Sequence, residues 1–166
     1  IMIYIRKLIK DDVCFLNSVR NECAEKYLHD SRTFSIQDSY KWFETTNPDY
    51  YLILYNDISI GYFRLSNHSI VNKNIYIGAD LHKDWRGKGL AYESYCKFIP
   101  FIFEKYDLNK ITLEVLSTNL VAKNLYKKLG FIWEGTKRKE IYKNGLYIDS
   151  EIMSMLREEY EKQFNK

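Results

Sequence analysis

The sequence predicts a mixed α/β fold with one central sheet and flanking helices, and three observations carry that expectation. Two pairs of β-rich runs turn about Asn56-Asp57 and Asn144-Gly145, dipeptides that tolerate the positive φ of a tight hairpin. Between strand-like runs at Asn74–Leu81 and Ile111–Leu116 lies an apolar segment, Gly87–Tyr106, long enough for a mostly buried helix. A strand, a helix and a strand in that order make a parallel crossover, which is right-handed in nearly every known case.

Each element follows from local chemistry. Met2–Ile9 alternates and is β-branched, so it reads as a strand. Asp11 and Asp12 are set to cap a helix running to about Arg20, because carboxylates accept the orphan amides of a first turn. Ser35 with Asp38 makes a capping box for a second helix over Tyr40, Trp42 and Phe43, which stops near Thr45, ahead of Asn47-Pro48. Tyr50–Tyr55 and Ile58–Leu65 are antiparallel partners. Within Asn74–Leu81, Ile75, Ile77, Ala79 and Leu81 share one face while Tyr76, Gly78 and Asp80 share the other. Pro100 frees the Cys96 carbonyl inside the long helix, so a kink is expected there. Asn119–Leu129 reads as a helix closed by Gly130, Phe131–Leu156 as a hairpin, and the residues from Arg157 as a short exposed helix.

Composition sets the outer bounds. A chain of 166 residues with 46% hydrophobic and 28% charged residues and only 7 Gly and 2 Pro predicts one globular domain spanning 1–166. No apolar run approaches the roughly 20 residues of a bilayer span, and the first ten residues lack a signal-like apolar core. Cys14, Cys23 and Cys96 are odd in number and without a CxxC spacing, so neither a disulfide framework nor a metal site is expected. Reduced thiols point to the cytoplasm. A net charge of +3 is too small to indicate nucleic acid.

The informative stretch is Arg86-Gly87-Lys88-Gly89-Leu90-Ala91, in a strand–loop–helix context. Its glycines let backbone amides approach an anion closely, and the helix that follows adds unpaired N–H groups and a positive dipole end. A pyrophosphate suits that arrangement. A Walker loop would need Ser or Thr after Lys88, where Gly89 stands. A Rossmann turn would need a small residue where Tyr92 stands.

This loop resembles the acetyl-CoA pyrophosphate loop of the GNAT superfamily of N-acetyltransferases, in particular its RimJ/RimL-like branch. A second signature agrees: Asn119, Ala122, Tyr126 and Gly130-Phe131 are similar to the family's later motif. The resemblance implies a mostly antiparallel central sheet with a splayed strand pair. It also implies acetyl-CoA as co-substrate, held by Arg86, Gly87, Lys88, Gly89, Leu90, Ala91 and Asn119 and by the backbone near Leu81 and Lys83. By the same resemblance, Tyr126 is the general acid that protonates the departing thiolate. Its plain alternative, packing beside Ala122 and Gly130, is strong in a chain with 15 tyrosines. Many relatives carry a glutamate where Tyr76 stands, so the base is open among Glu114, His82 and a water.

The acceptor pocket implied by the resemblance draws on the first two helices and the C-terminal hairpin. Arg20-Asn21 followed by Trp42-Phe43, with Tyr76 added, resembles members that acetylate nucleotide-linked amino sugars. A guanidinium forks onto phosphate and aromatic faces suit a sugar. The expectation is direct attack by a primary amine on acetyl-CoA. The alternatives are a protein N-terminal amine of ribosomal-protein type, a polyamine, and a non-catalytic acyl-CoA-binding module. A polyamine pocket would need carboxylates, for which Glu22, Glu25 and Asp30 are present among bases. Neither membrane nor nucleic acid is expected as a partner, and the oligomeric state is open, with a homodimer among the outcomes.

Overall fold

A computed structural model describes residues 2–165. The chain forms β1 (Ile3–Lys7), α1 (Val13–Ala24), α2 (Ile36–Thr46), β2 (Tyr50–Tyr55), β3 (Ile58–Ser69), β4 (Asn74–Leu81), α3 (Leu90–Lys105), β5 (Lys110–Leu116), α4 (Leu120–Leu129), β6 (Ile132–Lys143), β7 (Leu146–Leu156) and α5 (Arg157–Phe164). The strands hydrogen-bond in the order β1-β2-β3-β4-β5-β7-β6. The β4–β5 pair is parallel, and β1–β2, β2–β3, β5–β7 and β6–β7 are antiparallel. The fold is therefore the mixed, mostly antiparallel α/β sheet expected from the sequence. The parallel register pairs Asn74, Ile75 and Tyr76 with Lys110, Ile111 and Thr112, at the beginning of β4.

The chain divides into two compact units, one comprising residues up to Leu65 together with Gly78–Ser94, the other Ser66–Ile77 together with residues from Tyr95 onward. In the first, α1 and α2 close over the β2–β3 hairpin. Leu16, Val19, Cys23 and Leu28 pack with Leu52 and Tyr62, and Trp42, Phe43 and Tyr50 lie at the margin of this cluster. Asn56 and Asp57 turn the hairpin with φ of 47° and 66°, the paired positive values a two-residue turn requires. In the second unit, Phe98, Ile102, Phe103, Ile111, Leu113 and Met155 are fully buried.

Several local expectations change. Asp12 does not cap α1: its carboxylate pairs with Arg6 at 2.7 Å and accepts the amide of Ile9 at 2.9 Å, closing a 3-10 turn, and α1 runs on to Ala24. Ser35 does cap α2, accepting the amide of Asp38 at 3.1 Å, and Asn47 ends that helix with φ of 46°. Helix α3 begins at Leu90, three residues after Gly87, and runs to Lys105 with Pro100 inside it. Helix α5 is amphipathic and not merely exposed, because Tyr160 is buried with its ring stacked on Phe103 at 4.4 Å.

Candidate active site

Strand β4 ends at Leu81 and hands the chain to a short 3-10 turn, Lys83–Trp85, followed by the glycine loop. Gly87 and Gly89 adopt φ of 72° and 77°, a region L side chains enter only with strain. A Cβ on either would meet nothing within 4 Å. The glycines are therefore needed for backbone direction, not for room against protein atoms, and the loop lies open along that side. Leu90 opens α3, and the amide of Glu93 donates to the carbonyl of Gly89. An open glycine turn at the head of a 16-residue helix suits a diphosphate, since the unpaired first-turn amides of a helix and its dipole favour an anion.

Arg86 anchors the loop. Its Nε donates to the Leu81 carbonyl at 3.1 Å, its terminal nitrogens donate to both carboxylate oxygens of Glu22 on α1, and its plane lies 4.9 Å over the ring of Tyr27. The pairing holds the Glu22 carboxyl below the usual carboxylate range. These side-chain donors fix the loop against α1. Lys88 is exposed with its ammonium over the Trp85 ring at 5.1 Å. The Lys83 carbonyl accepts the Arg86 amide within the 3-10 turn. His82 accepts the amide of Asp84 through Nδ1 at 3.2 Å, a bond that requires the lone pair of a neutral ring nitrogen. His82 is accordingly a turn cap.

The backbone of β4 beside the loop is unusually close to β3. A Cβ on Gly61 would fall 2.3 Å from the Asp80 carbonyl oxygen, and the His82 amide donates to the Ile60 carbonyl at 2.8 Å. Asp80, near the end of β4, is buried and pairs with Arg64 at 3.2 Å. Cys23 is buried at the same place, 3.0 Å from Arg86, and burial, reinforced by the charge of Asp80, pushes its thiol up to about 12. The sequence reading missed Arg64 and Asp80. Counting from the Asn56-Asp57 turn would set Tyr50 opposite Phe63; an irregularity between Ile53 and Leu54 shifts the register by one residue and brings Arg64 opposite Tyr50, a change no turn dipeptide announces.

Two of the expected acceptor residues on α1 serve the backbone. Asn21 accepts the Phe34 amide at 3.0 Å and donates to the Phe34 carbonyl at 2.8 Å, so both ends of its amide are used. Arg20 donates to the carbonyls of Arg32 and Asp30 and lies 4.5 Å over the Phe34 ring. These contacts hold the irregular segment between α1 and α2. Asp30 is held by Arg32, which draws its carboxyl down to about 2. Trp42 packs edge-on against Tyr50 at 5.1 Å.

In the other unit, Asn119 caps α4, its side-chain oxygen accepting the amide of Ala122 at 3.2 Å. Tyr126 is 9% exposed in the last turn of α4, with Tyr95 and Phe131 meeting its ring edge-on at 5.8 and 5.9 Å. Gly130 ends the helix at φ of 98°. Packing is therefore one job of Tyr126, and it leaves a hydroxyl-bearing ring in a fixed orientation. Glu114 is engaged by Lys137 at 2.6 Å and by the Ser150 hydroxyl at 3.3 Å. Tyr76 is half-buried, opposite Thr112. Among the described residues no group of three His, Cys, Asp or Glu is arranged to hold a metal ion, and no helix is long and apolar enough to cross a membrane.

Solved structures share this fold of a seven-stranded sheet with flanking helices. The crystal structure of spermidine N-acetyltransferase from Vibrio cholerae in complex with CoA and spermine superposes with a TM-score of 0.87 at 23% identity, over 95% of this chain and 97% of that one. The family model described as an acetyltransferase (GNAT) domain matches residues 3–132. The chain belongs to the GNAT acetyltransferase family. It is 30% identical over 109 residues, 66% of its length and 60% of the other's, to the "Putative ribosomal N-acetyltransferase YdaF" of Bacillus subtilis. To spermidine N(1)-acetyltransferase of Vibrio cholerae it is 26% identical over 141 residues, covering 84% of this chain and 72% of the relative. The matches to the first three curated relatives span 60%, 44% and 45% of those proteins.

Proposed function

We propose that this chain is one acetyltransferase domain that moves an acetyl group from acetyl-CoA to a primary amine. The observation that carries the reading is the open loop of Gly87 and Gly89 in positive φ, fixed by Arg86 between the end of β4 and the head of α3, in a chain of the GNAT family. Acetyl-CoA supplies the activated acyl group as a thioester.

In this reading the chain's residues bind, orient and handle protons. The amides of Gly87–Leu90 hold the diphosphate, Lys88 adds charge at its fringe, and the backbone at Leu81 and Lys83 pairs with the pantetheine as an added strand would. Leu90 and Ala91 begin the helix whose dipole faces that anion, and Asn119 keeps its amide nitrogen for the cofactor while its oxygen caps α4. As the acetyl carbon gains its bond to nitrogen and loses its bond to sulfur, Tyr126 gives a proton to the thiolate. The amine's proton leaves through water. The prior engagement of Glu114 by Lys137, and of His82 by its own turn, supports that route over a dedicated side-chain base.

For the acceptor, a nucleotide-linked amino sugar is the first reading, and the backbone bonds that Arg20 and Asn21 make to the 30–34 segment weigh against their part in it. A protein N-terminal amine is the second reading, favoured by the similarity to the Bacillus subtilis relative. The polyamine reading is weakened because Glu22 and Asp30, two of its three carboxylates, are bound by Arg86 and Arg32. The cytoplasm, with its CoA pool and reduced thiols, suits the reading.

The test is free-thiol release from acetyl-CoA with amino-sugar nucleotides, N-terminal peptides and polyamines, alongside calorimetry with CoA. Turnover with one class assigns the acceptor. CoA binding without turnover on any amine leaves a binding module, and no CoA binding overturns the proposal.

A further inference from the structure

We propose that Lys123 and Glu151 are positioning residues for Tyr126: their ion pair sets α4 on the sheet at the place from which the Tyr126 hydroxyl meets the departing thiolate. This rests on the acetyltransferase reading above and extends it by two residues.

Helix α4 is short and thinly anchored by apolar contacts. Of its ten residues Tyr126 and Leu129 are buried, while Leu120 and Val121 stand exposed. A helix of that length has little stability of its own, so its place is decided by what ties it down. Two polar ties do so. Near its beginning, the Lys123 ammonium lies 2.9 Å from Oε2 of Glu151 on β7. At its end, Gln163 of α5 donates from Nε2 to the Leu129 carbonyl at 2.8 Å. Tyr126 stands three residues from each tied position and is the helix-surface neighbour of both.

The pair with Glu151 differs from an ordinary surface salt bridge. Its side chains are 19% and 17% exposed, so both charges are largely withdrawn from water. In such a setting the desolvation of two ions offsets much of their attraction, and the best-attested return is register, since a shifted helix would leave both charges poorly paired. Glu151 is a firm reference point. Strand β7 lies between β5 and β6, and Glu151 is opposite Val115 on one side and Thr136 on the other. Tyr95 and Phe131 orient the Tyr126 ring, and the ion pair fixes the helix that carries it. A general acid must lie within hydrogen-bond reach of the atom it protonates, and a displacement of about 1 Å costs on the order of 100-fold in rate.

The experiment is a double-mutant cycle on turnover, measured by thiol release at saturating acetyl-CoA with whichever amine reacts fastest. K123M, E151Q, K123R, Y126F and K123M/Y126F are compared with the native chain, and thermal melts report folding. K123M/E151Q, in which neither charge is left alone, takes the place of any single variant that fails to fold. Loss of the pair lowers kcat by about 10-fold, short of the loss in Y126F, and leaves the KM for acetyl-CoA within about twofold of native. K123R keeps the charge and retains more of kcat than K123M. In the Y126F background K123M adds nothing, because no hydroxyl remains to be misplaced. An effect of K123M that persists in full beside Y126F makes the pair a structural tie and overturns the inference. Native kcat in folded K123M and E151Q overturns it equally. Full turnover in Y126F also overturns it and leaves the acetyltransferase reading standing. Absence of thiol release from the native chain with every amine is the failure of the parent reading, and the inference falls with it.

Discussion

Arg86 and Glu22 form a two-pronged ion pair in which one bond measures 3.0 Å, joining the glycine loop to the second half of α1. Residues far apart in sequence are thereby made one rigid support. Since the glycines themselves impose no packing, the firmness of the loop depends on this pair and on the bond from Arg86 to Leu81.

Acid should loosen the support in an ordered way. Glu22 has a folded-state pKa below its ordinary 4.5, so its contribution is present above that value and lost as pH falls below it. Asp30, drawn from 3.8 to about 2, follows at lower pH. Calorimetry against pH should show CoA affinity declining below about 4.5 in the native chain. In E22Q the affinity should already be weaker by about fivefold at neutral pH, as befits a part-exposed pair worth up to ~1 kcal/mol, with a flatter acid limb.

Gly87 and Gly89 should tolerate substitution according to backbone freedom alone. Alanine at either position meets no atom but must adopt a left-handed conformation, at a cost of about 1–2 kcal/mol. Thermal melts should therefore rank Gly above Asn, Asn above Ala, and Ala above Val, and CoA affinity should fall in the same order.

Gly61 and Gly78 should separate cleanly. G61A drives a methyl into the backbone of Asp80 and Leu81 and should destabilise by about 1–3 kcal/mol, as overpacking does. G78A drives a methyl onto the Arg64 guanidinium, which is paired with buried Asp80, so its melting temperature should also fall, by less than that of G61A because a side chain and not backbone must give way.

Y126F keeps the ring contacts with Tyr95 and Phe131 while deleting the hydroxyl. Thermal stability should stay within about 1 kcal/mol of native. Turnover at saturating substrate should fall about 100-fold, the low end for loss of a general acid, and rate should become more dependent on leaving-group acidity in acyl-thiol analogues. Undiminished turnover would reduce Tyr126 to a packing residue.

Much of the fold was legible because local chemistry and tertiary structure agree. The turns at Asn56-Asp57 and Asn144-Gly145, the Ser35 cap and the Gly130 stop each depend on the residue's own backbone preferences, and each forms where expected. Asp12 shows the limit: a carboxylate able to cap a helix is taken instead by Arg6, six residues back on β1. The site divides in the same way. The glycine loop could be read directly, since positive φ is written into the residue type. The hydrogen-bond partners of Arg20, Asn21 and Arg86 could not, because a side chain's partner is settled only when α1, the 30–34 segment and β4 come together. The burial of Tyr160 is not legible for a related reason: in the short polar helix from Arg157 a single aromatic contact leaves no periodic signal.

The burial of Cys23 gives the protein a built-in reporter. Thiolate is the species that alkylating reagents attack, and a thiol pushed to about 12 offers almost none at neutral pH. Exposed Cys14 should label first, whereas modification of Cys23 would require α1 to lift from Arg86. The time course of its alkylation, with and without CoA, therefore measures how often the loop's anchorage opens and whether ligand keeps it shut.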